Sequence, residues 1–184
     1  MWVELPPVWV VMLNVVIVPT VHLGVSWAYQ KMPRSRFCPD SWLHTKRSWE
    51  REGRLYQSLF GVRRWKAMVP DAAPWFNGFA KKDLRSRDIR YLEDFRAETC
   101  RGESAHYAQI VALLVTLIWN PWPVAAIVMV VYAFASNLPC IIVQRYTRHR
   151  LAHLIERIGS PFFSIIFSKP ISCFIGGVIL LTLS

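Results

Sequence analysis

The sequence has no CxxC pair and no cysteine–histidine cluster at metal-ligand spacing. Its four cysteines, Cys38, Cys100, Cys140 and Cys173, are scattered along the chain, which argues against a zinc fold, a disulfide framework or dithiol redox chemistry. Cys140 and Cys173 fall inside hydrophobic stretches, where a thiol behaves as a small apolar group. Glycine is scarce, at 8 residues, and no P-loop, GxGxxG, GxSxG or HExxH pattern occurs. No histidine stands five residues ahead of an aspartate, so the HxxxxD arrangement of common glycerolipid acyltransferases is also missing. The familiar hydrolase, nucleotide-binding and metalloprotease sites are therefore excluded. Charge is lacking too, but only locally: residues 5–30 carry none.

What is present is hydrophobic and basic at once. Hydrophobic residues make up 53% of the 184 and aromatic residues 14%, yet the formal net charge is +10. One soluble core of this size could not conceal so much apolar surface, so the two properties must occupy different stretches. Residues 5–30 are long enough to cross a bilayer at about 20 residues per span. They lack the basic flank and the cleavage pattern of a signal peptide. Lys31, Arg34 and Arg36 follow at once, which predicts an N-terminus outside and a cytoplasmic segment next. Residues 31–105 hold 17 of the 22 basic and 10 of the 12 acidic residues, punctuated by Trp42, Trp49, Tyr56, Phe60, Trp65, Trp75, Phe76 and Phe79. Such interleaving suits an anionic membrane surface; nucleic-acid binding is the rival explanation, and the hydrophobic flanks favour the membrane.

Asp83 is the expected N-cap of a helix in which Leu84, Ile89, Leu92 and Phe95 recur at helical intervals. Residues 107–119 and 123–143 are two further apolar runs, joined by an Asn120-Pro121-Trp122-Pro123 turn. The first is short for a span and reads as an extension of the preceding helix. The tail from Ser160 to Ser184 is apolar except for Lys169-Pro170. The expected fold is therefore all-α and membrane-embedded, a multi-pass cell-membrane protein with three to four transmembrane helices and a basic amphipathic cytoplasmic segment between the first and second. Its divisions are 1–30 for the first span, 31–105 for the basic segment, 106–145 for a transmembrane hairpin, and 146–184 for a basic cytoplasmic turn plus the tail.

Three polar groupings could carry chemistry. In Glu98-Thr99-x-Arg101-x-Glu103-x-x-His106, Thr99, Glu103 and His106 share a helix face. A carboxylate beside an imidazole can fix its tautomer and raise its basicity, as a general base requires. The same spacing equally suits an interfacial histidine bonded to a helical neighbour. With only one E-x-x-H copy, a di-iron site is not expected, and no metal is. The second grouping is Asn137 and Pro139, then Gln144, Arg145, Tyr146, Arg148 and Arg150. The arginines serve either as topogenic anchors or as forks for a phosphate or carboxylate. The third is Arg63-Arg64-Trp65-Lys66 with Asp71, an ordinary interfacial patch unless it converges with the others. All three are expected at the cytoplasmic interface, where they would receive a lipid laterally. His22, in the first span, reads as a hydrogen-bonded packing residue, and His44, His149 and His153 have no evident partner.

The stretch Asn137-Leu138-Pro139-Cys140-Ile141-Ile142-Val143-Gln144-Arg145-Tyr146-Thr147-Arg148-His149-Arg150-Leu151 resembles the N-x-P-x-I-I-V-Q-R-Y-x-R-x-R-L signature of glycosyl-4,4'-diaponeurosporenoate acyltransferases, small membrane enzymes of staphyloxanthin-type pigment synthesis. Glu98 to His106 fits that family's E-T-x-R-x-E-x-x-H, and Glu50, Gly53, Val62-Arg63-x-Trp65-Lys66 and Asp71 fall in order upstream. The resemblance covers roughly residues 49–155, and the apolar tail runs past the family's usual end. It implies acyl transfer from acyl-CoA or acyl carrier protein to a hydroxyl of a glycosylated carotenoid or related glycolipid, with no further cofactor. Carried over by position, His106 is the expected general base and Glu103 its orienter. Arg63, Lys66, Arg145 and Arg148 are expected to hold donor or headgroup oxygens, and Asn137 or Gln144 to stabilise the oxyanion. The expected partners are membrane lipids and the carotenoid glycoside, not nucleic acid. The alternative is a non-catalytic accessory subunit of a larger, pigment-containing membrane complex.

Overall fold

The computed structural model describes residue 3, residues 5–69 and residues 84–159. Every regular element among them is helical. Helix α1 (Pro7–Lys31) starts at a proline in its first turn, where the missing N–H costs nothing. It ends with Lys31 in the last turn and Met32 extended, as the following Pro33 requires. A tight 3-10 strap (Ser48–Gly53) leads into the short helices α2 (Arg54–Phe60) and α3 (Val62–Trp65). Helix α4 (Ile89–Leu114) is capped by Asp88, whose side chain accepts from the Arg90 amide. Helix α5 (Pro123–Gly159) runs unbroken through Pro139 for 37 residues, a rod of about 55 Å.

α4 and α5 form the antiparallel hairpin expected from the Asn120–Trp122 turn, with Leu92 and Phe95 packed on Leu151 at its open end. α1 lies antiparallel along α4, pinned at three levels. Asn14 meets Asn120 at 2.9 Å, His22 meets Gln109 at 3.2 Å, and Gln30 accepts from Arg101 at 2.8 Å. The strap and α2 lie against the far half of α5, where Tyr56, Val62 and Tyr146 make a small apolar core.

α1 and α5 are long and apolar enough to cross a membrane. Their outward faces carry exposed Val8, Val11, Val15, Val124, Val128 and Val131, a belt that water would penalise and lipid would not. One expectation is met in part and two change. Two helices of that length and apolarity are found among the described residues, where three to four spans were expected of the chain with its tail; the 107–119 run extends α4 as expected, ending in a 3-10 turn (Val115–Trp119). The helix expected from Asp83 begins at Ile89 behind the Asp88 cap, because Ser86 and Asp88 offer their own backbone-directed hydrogen bonds; Asp83 itself lies outside the described residues. No turn occurs at 146, since Tyr146 to Gly159 continues α5, and the 105/106 division likewise falls inside α4. Asp71, Trp75, Phe76, Phe79, Cys173 and the 160–184 tail also lie outside the described residues.

Candidate active site

Where α4 crosses the second half of α5, a charged network is sealed inside the protein. Glu103 is fully buried, with Arg148 Nη2 at 2.6 Å from one oxygen and Arg145 Nε at 3.0 Å from the other. The Tyr107 hydroxyl donates to it at 2.9 Å. Arg145 Nε sits near Glu103 without a well-aligned hydrogen bond, so that pair is chiefly coulombic. Arg145 Nη1 also reaches Glu50 at 3.4 Å, and His149 Nε2 faces the other Glu50 oxygen at 3.3 Å. Burial pushes the Glu50 carboxyl upward, but hydrogen bonds from His149, Tyr56 and the Arg47 amide, with the Arg145 charge, outweigh it and hold it at about 2. Such pairing is what allows four charged groups to sit without water.

A turn further along α4 lies a second, uncharged network. His106 Nδ1 is 2.9 Å from Asn137 Oδ1 and 3.1 Å from Gln109 Oε1. Both amides are oriented by their own donors: Asn137 Nδ2 donates to the Ala133 carbonyl, and Gln109 Nε2 to the His22 carbonyl and Ser26 hydroxyl. Two acceptor oxygens at one ring nitrogen require that nitrogen to carry the proton. His106 Nδ1 therefore carries a proton. His22 follows the same rule: its Nδ1 donates to Gln109 Oε1, and its Nε2 accepts from the Tyr132 hydroxyl at 3.2 Å.

The sequence-derived candidates thus divide into three places. Glu103, Arg145 and Arg148 come together, but as a closed ionic cluster. The expected Glu103–His106 pairing is replaced by Asn137 and Gln109 at Nδ1, because Glu103 turns toward the two arginines. Arg145 and Arg148 are spent on carboxylates and are poorly placed to hold substrate oxygens. Asn137 directs its oxygen at His106 and its N–H groups at Ala133 and Ser136, which leaves it no donor for an oxyanion. Arg63, Lys66 and Gln144 lie apart from both networks, lining a groove of about 930 Å³ between α2–α3 and α5. Glu98 and Arg101 pair with each other, with Arg34 and with Gln30, fastening α4 to the end of α1.

Gln109 is missing from the sequence reading, although it continues the three-residue spacing of Glu103 and His106. His22 does pack through hydrogen bonds as expected. His44, His149 and His153, without evident partners in sequence, meet Ser41 and Ser104, Glu50, and Glu52 with Glu156 respectively. Among the described residues no group of three or more His, Cys, Asp or Glu is arranged to hold a metal.

Residues 39–157 match the family profile described as glycosyl-4,4'-diaponeurosporenoate acyltransferase. The chain is 28% identical over 138 residues to the glycosyl-4,4'-diaponeurosporenoate acyltransferase of Staphylococcus haemolyticus strain JCSC1435, covering 74% of this chain and 80% of that one. It is 29% identical to the protein of the same name from Staphylococcus aureus strain MRSA252, over 74% of this chain and 82% of the relative. No solved structure matches the chain. The match takes in the ionic network, His106, Gln109 and Asn137 of the second network, the whole groove lining and more than half of the sequence; the chain belongs to the glycosyl-4,4'-diaponeurosporenoate acyltransferase family.

Proposed function

We propose that this protein is a membrane O-acyltransferase that moves a fatty acyl group from a thioester donor to a hydroxyl of a glycosylated carotenoid or related glycolipid. The observation that carries the reading is the doubly accepted Nδ1 of His106, which fixes the orientation of the ring and puts proton transfer on its opposite nitrogen. Family membership and the names of the staphylococcal relatives supply the reaction class.

In this reading the acceptor hydroxyl attacks the thioester carbonyl carbon while its proton passes to His106 Nε2. A C–O bond forms and the tetrahedral intermediate's oxygen takes the negative charge. The C–S bond then breaks, the carbonyl re-forms, and the imidazolium returns its proton to the leaving thiolate. Asn137 and Gln109 act as positioning residues, since their oxygens hold the Nδ1 proton and favour the imidazolium as it forms.

The test is product formation in membranes supplied with a glycosylated carotenoid and an acyl thioester, read by mass spectrometry. His106→Ala is expected to lower turnover by about 10²–10⁴-fold with the protein still accumulating in the membrane. Undiminished turnover by that variant would remove His106 from the mechanism. A wild-type protein that forms no ester and copurifies stoichiometrically with a large complex would replace the enzyme by an accessory subunit.

A further inference from the structure

The groove between α2–α3 and the outer half of α5 has a marked charge imbalance. Arg54, Arg63, Lys66, Arg150 and Arg157 line it, and Glu52 is the acidic residue on its rim. Among the described residues, none of these five cations has a carboxylate within ion-pairing distance. The interactions they do make are with neutral groups. Arg63 Nε donates to the Tyr146 hydroxyl at 2.9 Å, Arg54 Nε to the Arg51 carbonyl at 3.3 Å, and the Arg150 guanidinium lies 5.9 Å from the Tyr146 ring centre. Glu52 lies 3.7 Å from the His153 ring. By contrast, Arg34, Arg101, Arg145 and Arg148 all face glutamates. Five concentrated positive charges in a concavity focus a field that draws a multiply charged anion, and guanidinium forks match phosphate oxygens.

The walls are not polar throughout. Phe95, Val143, Leu151 and Leu154 also line the groove, and its volume of about 930 Å³ lies in the range that encloses a ligand rather than an ion. We infer that this groove binds a phosphate-bearing acyl amphiphile, with phosphates on Arg54, Arg63, Lys66, Arg150 and Arg157 and the apolar part against Phe95, Val143, Leu151 and Leu154. The inference rests on the acyl-transfer reading for its use, since it seats the donor. Gln144 lines the same groove seven residues after Asn137, on the same face of α5 and about 10 Å along its axis, a distance that the flexible arm of a thioester can bridge. Two sources share this chemistry: an acyl thioester of the coenzyme A type and an anionic phospholipid.

The experiment uses the full chain in nanodiscs, with binding of a fluorescent palmitoyl-CoA measured over a salt series. Competition comes from free coenzyme A in one arm and from phosphatidylglycerol in place of phosphatidylcholine in another. The double variant Arg150→Gln/Arg157→Gln, at exposed positions, is expected to bind at least tenfold more weakly and with a shallower salt dependence. Arg36→Gln, exposed and outside the groove, is the control and should bind as wild type. Competition by coenzyme A identifies the nucleotide carrier as the source; competition by phosphatidylglycerol alone identifies the lipid. Binding that ignores the double variant, or confined to acyl carrier protein with both small probes inert, overturns the assignment. Binding is read without turnover, so a site that binds in a chain that transfers nothing counts against the His106 reading alone. Transfer indifferent to these arginines counts against the groove alone.

Discussion

Glu103 illustrates how a residue can be prominent in sequence for one reason and be needed for another. Its position three residues before His106 suggests an imidazole partner, but helical spacing specifies only which residues share a face, not which way a carboxylate turns. Two guanidinium groups from α5, 42 and 45 residues away in sequence, decide that, and no local pattern announces such a distance. Glu103→Leu is expected to destabilise the protein by about 3–5 kcal/mol, because Arg148 would be left buried with an uncompensated charge. Pairing it with Arg148→Met should recover part of that loss. Denaturation of the single and double variants in detergent checks this; losses that simply add would show the two groups to be uncoupled. His106 and Asn137 were legible as candidates because polar residues in an apolar helix are costly and seldom idle. Gln109 was not, since nothing in the sequence tells a glutamine facing a histidine from one facing lipid.

Among the elements, the strap Ser48–Gly53 is the least regular and the most constrained. Arg51, Glu52 and Gly53 adopt φ of 49°, 58° and 83°, three successive residues in the left-handed region. This run turns the chain sharply enough to press Glu50 into the ionic network while Gly53 touches α5. A Cβ at Gly53 would lie 2.9 Å from the Cβ of His149, closer than packed carbons tolerate. Gly53→Ala therefore combines backbone strain of about 1–2 kcal/mol with a steric clash, and should lift the strap from α5. Gly24→Ala in α1, where nothing lies within 4 Å, should show no loss. Thermal melting of the two variants beside wild type makes the comparison, and equal midpoints would refute it. The sequence conveyed the long helices well, since uncharged runs and proline–tryptophan turns are local signals. It misplaced the start of α4, where Asp83 and Asp88 are both acceptable caps. It also missed the continuation of α5 past Arg145, because a basic cluster marks a membrane boundary without marking the end of a helix.

For the whole molecule, acid should be the principal stress outside the bilayer. Burial lowers the His44 imidazole, with Arg148 and Arg145 adding to the effect against Glu103; the ring is held neutral between Ser41 and Ser104. A histidine lowered in the folded state supports folding above its unfolded value near 6.5 and loses that support as pH falls below it. Glu50, held at about 2 against 4.5, adds stability that is intact above 4.5 and vanishes as pH falls toward 2, on the order of 3 kcal/mol. Both effects have the same sign. Melting temperature should decline in two stages on acidification, the first below pH 6.5 and the second below about 4.5. His44→Gln should flatten the first stage and leave the second, whereas a flat profile from pH 7 to 3 would contradict both assignments.

The length of α5 also sets a depth. With Pro123 at one face of the bilayer, Asn137 stands about 21 Å along the rod and Arg145 about 33 Å, against a hydrocarbon layer of about 30 Å. The ring that Asn137 holds is thus submerged roughly two helical turns below the arginines that mark the shoreline. A sugar free in water cannot wade to it. Under the acyl-transfer reading proposed above, an acceptor would have to arrive already tethered to an oily tail, and the same immersion would keep out water, the commonest competing nucleophile.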